Sequence, residues 1–273
     1  MTKIGFMKSI VRPIGLALVA VTFGPILVLL LEMTFDISIS KILTSIITFV
    51  FSALAAFWLF PKALKLPFGV VGVSTYIRKL GFYWPRKGWK HVLLGLLLAA
   101  CTLTGMWVAS LLSGRYAPDW STVNLSHTIF SINPGVWEEF FYRGIIMFIL
   151  ITATRSIRRA ALIQVLFFSL AHIKGFDLWS WVDVVSVFVI AIGFTYVALK
   201  TRTLVAGIVF HFVHDALLFL PQIDSKGILE SVIFFACLWV MVGVGCLLTK
   251  FASERLGVQA DEELYRLEQE VPA

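Results

Sequence analysis

Long apolar runs separated by short polar links fill most of the chain. We interpret eight of these runs as membrane-spanning helices, because a helix that crosses lipid is apolar on every side. Their approximate bounds are 13–33, 42–61, 91–113, 125–153, 160–173, 183–199, 203–220 and 228–249. The pattern predicts an all-α polytopic membrane protein, a bundle of about eight transmembrane helices.

The composition agrees with this class of protein. Hydrophobic residues make up 59% of the 273 positions and charged residues only 14%, whereas soluble domains carry about 25% charged residues. So few charges cannot cover a surface that faces water, which excludes a soluble domain, a disordered chain and a disulfide scaffold. The cysteines lie inside apolar runs without paired or metal-binding spacing, and we expect them to be buried apolar residues.

The positive charges indicate how the chain is oriented. Most of its 23 Lys and Arg residues lie in alternate links, as in the cytoplasmic loops of membrane proteins. This asymmetry predicts that both termini are cytoplasmic. The excess of positive charge is therefore expected to face anionic lipid, and nucleic acid is not an expected partner. We predict a transmembrane domain over 1–253 and a polar cytoplasmic tail over 254–273.

A few ionisable side chains interrupt the apolar runs. A charged group near the middle of a bilayer costs from about 2.5 to more than 10 kcal/mol, so such groups must face one another or a shared cavity. At about 1.5 Å per helical residue, these groups all reach a similar depth in the membrane. They are Glu138, Glu139 and Arg143 in one run, His172 in the next, and His211, His214 and Asp215 in the run at 203–220.

Their spacing predicts one ion pair. Glu139 and Arg143 are four residues apart with the acid first, the favoured order for a pair on one helix face. This pair would leave Glu138 without a cation nearby. His211 and Asp215 share a face in the same way, and Pro134 is expected to start or break its helix before the glutamates.

The residues by themselves permit four interpretations. The first is a polar network that only holds helices together, and the second is the proton relay of a transporter. The third is a metal site, since carboxylates and imidazoles are metal ligands. The fourth is hydrolysis, in which a carboxylate deprotonates water and an imidazole binds the developing oxyanion.

Three motifs then point to a family. Glu138, Glu139 and Arg143 form EExxxR, Phe168-Ser-Leu-Ala-His172 forms FxxxH, and His211-Phe-Val-His-Asp215 forms HxxxD. In this order the motifs resemble those of the CPBP family, the CAAX protease and bacteriocin-processing intramembrane peptidases, which includes the type II CAAX prenyl endopeptidases. The resemblance covers about 125–220, which would then be the catalytic core.

The resemblance implies a glutamate-type intramembrane endopeptidase without an obligatory cofactor. Glu138 would be the general base, and His172 would orient or share the activated water. His211 and Asp215 would stabilise the oxyanion. The supporting residues would be Glu139, Arg143 and Phe168. The expected substrate is a membrane-associated or lipidated protein or peptide, and the expected location is a bacterial plasma membrane.

Asp215 departs from the pattern, since well-studied prenyl-processing members have asparagine there. An ionised aspartate would repel an oxyanion, so Asp215 must be protonated, orient His211, or bind a metal with it. One alternative is therefore a protease with a divalent metal held by Glu138, His172, His211 and Asp215. Another is a non-catalytic scaffold or bacteriocin-immunity protein. His214 lies outside the motif and is expected to be a packing or supporting residue.

Overall fold

In the computed structural model the chain is described over 26–36, 39–54, 77–112, 125–173, 175–217 and 227–258, together with positions 11, 15 and 75. Within these ranges every regular element is a helix and there is no strand. The all-α prediction is therefore confirmed for the described part of the chain. Much of the predicted first span and most of the predicted tail lie outside the described residues.

The helices follow the predicted apolar runs closely. Their bounds are Ile26–Phe35 (α1), Lys41–Leu54 (α2), Gly88–Leu112 (α3), Leu125–Glu138 (α4), Glu139–Ile146 (π1, a π-helix), Met147–Thr154 (α5), Ile157–Leu170 (α6), Leu178–Thr201 (α7), Val205–Leu217 (α8) and Ile228–Arg255 (α9). The predicted tail at 254–273 begins inside the last turn of α9.

Three of the described helices, α3, α7 and α9, are long and apolar enough to cross a membrane. Two shorter helices, α1 and α8, are apolar as well. These helices support a membrane protein. The number of spans and the cytoplasmic position of both termini stay predictions.

The predicted span at 125–153 is a run of three helical segments. Pro134 lies inside α4, and five residues later, at Glu139, the chain changes to the wider π-helix π1, all eight residues of which are buried. A π-helix bonds residue i to i+5, and such segments are frequent at functional sites. Apolar periodicity predicts a helix here without showing that its turns widen.

One predicted span ends earlier than expected. Ser156 caps α6, its side chain accepting a hydrogen bond from the backbone N–H of Arg159, and this cap starts the helix at Ile157. The helix then ends at Leu170, so His172 lies in the following turn. The expectation that His172 lies within a span at 160–173 was wrong in this respect.

Helix α8 lies at the centre of the packing. It contacts α3, α4 and α7, while α9 packs on α3 and α7, and α6 packs on α7. Small residues let these helices approach: a Cβ at Gly95 of α3 would run into the backbone carbonyl of Ala206 in α8, and one at Gly135 of α4 would lie 3.3 Å from the backbone nitrogen of Phe212. Such close crossings by glycine are typical of helix packing in membranes, and here they bring α8 against α3 and α4.

Candidate active site

Glu139 is the first residue of π1 and its side chain is completely buried. Its Oε1 atom lies 2.9 Å from Nη1 of Arg143 and 2.9 Å from Nδ1 of His211 in α8. The predicted ion pair with Arg143 is confirmed. Because a carboxylate oxygen can only accept hydrogen bonds, His211 must donate from Nδ1. Glu139 thus joins π1 to α8.

Arg143 lies between two aromatic rings. Its guanidinium carbon is 4.1 Å from the ring centroid of Phe168 and 4.8 Å from that of Phe194 in α7. The Phe194 ring also lies against the imidazole of His211, with centroids 4.5 Å apart and planes inclined by 31°. Cation–π contacts and ring packing of this kind stabilise a buried cation and fix an imidazole in place.

Glu138, the last residue of α4, faces the imidazoles of His211 and His172. Its Oε2 atom is 3.7 Å from Nε2 of His211 and 4.0 Å from Nε2 of His172. This oxygen is buried and makes no hydrogen bond to the described residues. Both separations exceed direct hydrogen-bond length, and both are short enough for a bridging water molecule.

Phe168 holds His172 in two ways, although His172 lies beyond the end of α6. The Nδ1 atom of His172 is 2.8 Å from the backbone carbonyl oxygen of Phe168, and the two rings have centroids 4.6 Å apart. A carbonyl only accepts, so Nδ1 carries a proton, and Nε2 is the nitrogen that faces Glu138. This contact explains the four-residue spacing of FxxxH.

Asp215 lies near the C-terminal end of α8. Its Oδ2 atom is 3.5 Å from Nε2 of His211, and its Oδ1 atom is 3.3 Å from Nδ1 of His214. Glu138, His172, His211 and Asp215, which the sequence predicts as catalytic, therefore come together from α4, the turn after α6, and α8. The predicted supporting residues Glu139, Arg143 and Phe168 lie directly behind them.

Exposure falls steadily from one side of the site to the other. The side chain of His172 is 34% exposed and that of Asp215 is 29% exposed, both at the C-terminal ends of their helices. Glu138 is 14% exposed, and His211 only 5%. The site is therefore a recess that opens where α6 and α8 end, with its ion pair at the closed end.

Two site residues carry no signal that sequence reasoning could use. Phe194 is one apolar residue on an apolar helix. Gly207 leaves the space that the carboxylate of Glu139 occupies, since a Cβ there would lie 2.7 Å from Oε2 of Glu139. Only the packing of α7 and α8 against π1 shows that both belong to the site.

The described residues give no separate support for a metal centre. Over the described ranges, no group of three or more His, Cys, Asp or Glu side chains is arranged to hold a metal ion. His211 directs Nδ1 to Glu139 and His172 directs Nδ1 to the carbonyl of Phe168, so each has Nε2 on the side of Glu138. A metal held by Glu138, His172, His211 and Asp215 stays an alternative hypothesis.

A comparison with protein families gives an independent result. Residues 120–217 match the family described as type II CAAX prenyl endopeptidase Rce1-like. Comparisons with the curated proteins and with the solved structures gave no match. The matched segment contains all three motifs, so the resemblance to the CPBP family is confirmed. Together with the apolar helices, the match supports an integral membrane protein in which residues 120–217 are similar to a family of proteases.

Proposed function

We propose that this protein is an intramembrane endopeptidase in which Glu138 activates the water that hydrolyses a peptide bond. One observation carries the proposal. Oε2 of Glu138 has no direct hydrogen bond to the described residues and faces Nε2 of both His211, at 3.7 Å, and His172, at 4.0 Å. A buried carboxylate held near two imidazoles from other elements is suited to proton transfer.

The proton positions support a bound water as the nucleophile. The carboxylate of Glu138 is an acceptor, and the neutral ring of His172 presents Nε2 as a second acceptor because its Nδ1–H is used by Phe168. A water molecule between them donates one O–H to each. Its lone pairs then point away from both residues, toward an incoming carbonyl carbon. Glu138 takes the proton as the C–O bond forms and later passes it to the leaving amine nitrogen.

His211 is placed to stabilise the tetrahedral intermediate. Its Nδ1–H is held by Glu139, so a ring that carries both protons donates from Nε2 to the oxyanion. Asp215 is 3.5 Å from the same Nε2, where it orients the ring. The ion pair of Glu139 with Arg143 and the rings of Phe168 and Phe194 keep this arrangement rigid.

The substrate we propose is a membrane-associated or lipidated protein or peptide in a bacterial plasma membrane. The described helices expose large apolar side chains around the bundle, as expected for contact with lipid. A recess that opens at the ends of α6 and α8 admits a peptide bond while an attached apolar tail stays in the bilayer. The match to a family described as type II CAAX prenyl endopeptidase-like supports this substrate class.

The test compares Glu138→Gln with wild type in lipid vesicles that contain candidate membrane peptides. Glutamine keeps the size and loses the basic oxygen, so cleavage should fall by at least about a hundredfold, the usual contribution of a general base. Glu254→Gln is the matched control, because Glu254 lies at the far end of α9 with a side chain that is 54% exposed. Full activity of Glu138→Gln would contradict the proposal.

Substrate identification uses the same residue. Membrane peptides from cells that carry wild-type protein are compared with those from cells that carry Glu138→Ala. Peptides that accumulate uncleaved only in the variant are candidate substrates. A non-catalytic scaffold or immunity protein predicts no difference, and it also predicts that cellular function tolerates both Glu138→Gln and His172→Ala.

A further inference from the structure

His214 is a further ionisable side chain at the site, and the mechanism above does not use it. Its side chain is only 5% exposed and lies beside Asp215. The ring centroids of Phe210 and Phe194 are 6.0 Å and 6.5 Å from its own, both nearly edge-on. The imidazole of His214 thus packs against both phenyl rings.

Among the described residues, one nitrogen of His214 has a hydrogen-bond partner and the other does not. Nδ1 lies 3.3 Å from Oδ1 of Asp215. Nε2 is buried and makes no hydrogen bond to the described residues. Because a carboxylate oxygen accepts, the proton of a neutral ring belongs on Nδ1.

Asp215 therefore lies between two imidazoles, with one oxygen toward each. Oδ1 faces His214 and Oδ2 lies 3.5 Å from Nε2 of His211. The side chain of Asp215 is 29% exposed, so it lies on the open side of the site. A hydrogen bond to Oδ1 fixes the carboxylate plane and so fixes which oxygen His211 meets.

We infer that His214 is a positioning residue: its Nδ1–H holds Oδ1 of Asp215 and thereby directs Oδ2 to His211. The consequence for catalysis rests on the proposed function, whereas the hydrogen bond itself does not. His214 contacts neither the water nor the scissile bond in this arrangement, and it acts through Asp215 on the orientation of His211.

The hydrogen bond is tested by nitrogen NMR on protein labelled in its histidine rings, reconstituted in nanodiscs. We expect the resonances of His214, assigned from their loss in His214→Asn, to show the proton on Nδ1 and a bare Nε2. Asp215→Ala should shift the Nδ1 resonance. Asp183→Ala, which changes an exposed aspartate of α7, should leave it in place. A proton on Nε2 of His214, or an Nδ1 resonance that is unchanged in Asp215→Ala, would overturn the inference whether or not the protein is a protease.

The positioning role is tested with three substitutions at the same position. His214→Asn keeps an N–H donor near the place of Nδ1, His214→Gln moves the donor to about the place of Nε2, and His214→Phe keeps a ring without a donor. We expect His214→Gln and His214→Phe to lower kcat about tenfold, equivalent to roughly 1.4 kcal/mol, with KM unchanged. His214→Asn should retain most of kcat.

Thermal unfolding in detergent separates this role from packing. His214→Phe preserves the ring between Phe210 and Phe194, so it should unfold close to the wild-type temperature. Equal losses of kcat in His214→Asn and His214→Phe, or full activity in all three variants, would overturn the positioning role. If the wild-type protein cleaves no peptide, the proposed function is rejected. The NMR result would still decide whether the hydrogen bond exists.

Discussion

Replacing Gly207 by alanine adds one methyl group where α8 passes the carboxylate of Glu139. The new Cβ would lie 2.7 Å from Oε2 and 3.4 Å from Cδ of Glu139. To reach an ordinary contact of 3.4 Å, the oxygen must retreat by about 0.7 Å. The obstacle is the far end of a side chain, so the helix itself can form with its backbone unchanged.

The effect on the site follows from what Glu139 holds. Its other oxygen, Oε1, lies 2.9 Å from both Arg143 and His211. A similar displacement would lengthen these contacts to about 3.6 Å, beyond hydrogen-bond range. Hydrogen bonds to charged groups contribute roughly 1.5–3 kcal/mol each, so we expect peptide cleavage to fall between about tenfold and a hundredfold.

Cleavage of a membrane peptide in vesicles and thermal unfolding in detergent should be measured on three glycine variants. Gly243→Ala is the neutral control, since no atom lies within 4 Å of its Cβ, and alanine should slightly favour helix α9. Gly95→Ala meets the backbone carbonyl of Ala206 and should lower the melting temperature. If Gly207→Ala cleaves as fast as Gly243→Ala, the reasoning about Glu139 is refuted.

Three further changes test the remaining parts of the site. Phe194→Leu removes one ring from the cation–π pair of Arg143 and the ring against His211, so cleavage should fall about tenfold, whereas Phe251→Leu, at a residue 58% exposed, should change nothing. Arg143→Met leaves the buried charge of Glu139 without its cation and should lower the free energy of unfolding by about 3–5 kcal/mol in denaturant titrations; an unchanged midpoint would contradict the ion pair's importance. Removal of metal ions with a chelator should leave cleavage intact, and loss of cleavage that a divalent metal restores would support a metal-dependent protease instead.

The charged part of the site was predictable because ionisable side chains within a membrane must face one another or a shared cavity. Glu139 and Arg143 share a helix and have the spacing of an ion pair, and burial forces such groups together. The same argument predicted that His172 and His211 lie near Glu138. Sequence position alone therefore identified the residues that meet.

The apolar part of the site was not predictable for the opposite reason. Phe194 on α7 looks like any phenylalanine that faces lipid, and Gly207 looks like any small residue at a helix crossing. The change to a π-helix at Glu139 leaves the apolar pattern unbroken. The early end of α6 was not predictable either, because no glycine, proline, lysine or arginine follows Arg159 before Lys174.

The length of α6 has a consequence for the surrounding lipid. With 14 residues, this helix measures only about 21 Å, against a hydrocarbon layer of about 30 Å. If α6 lies within the membrane as proposed, the bilayer beside it must become thinner or admit water. Local thinning of the bilayer would bring water close to the proposed site. The rate of turnover should then depend on the thickness of the bilayer.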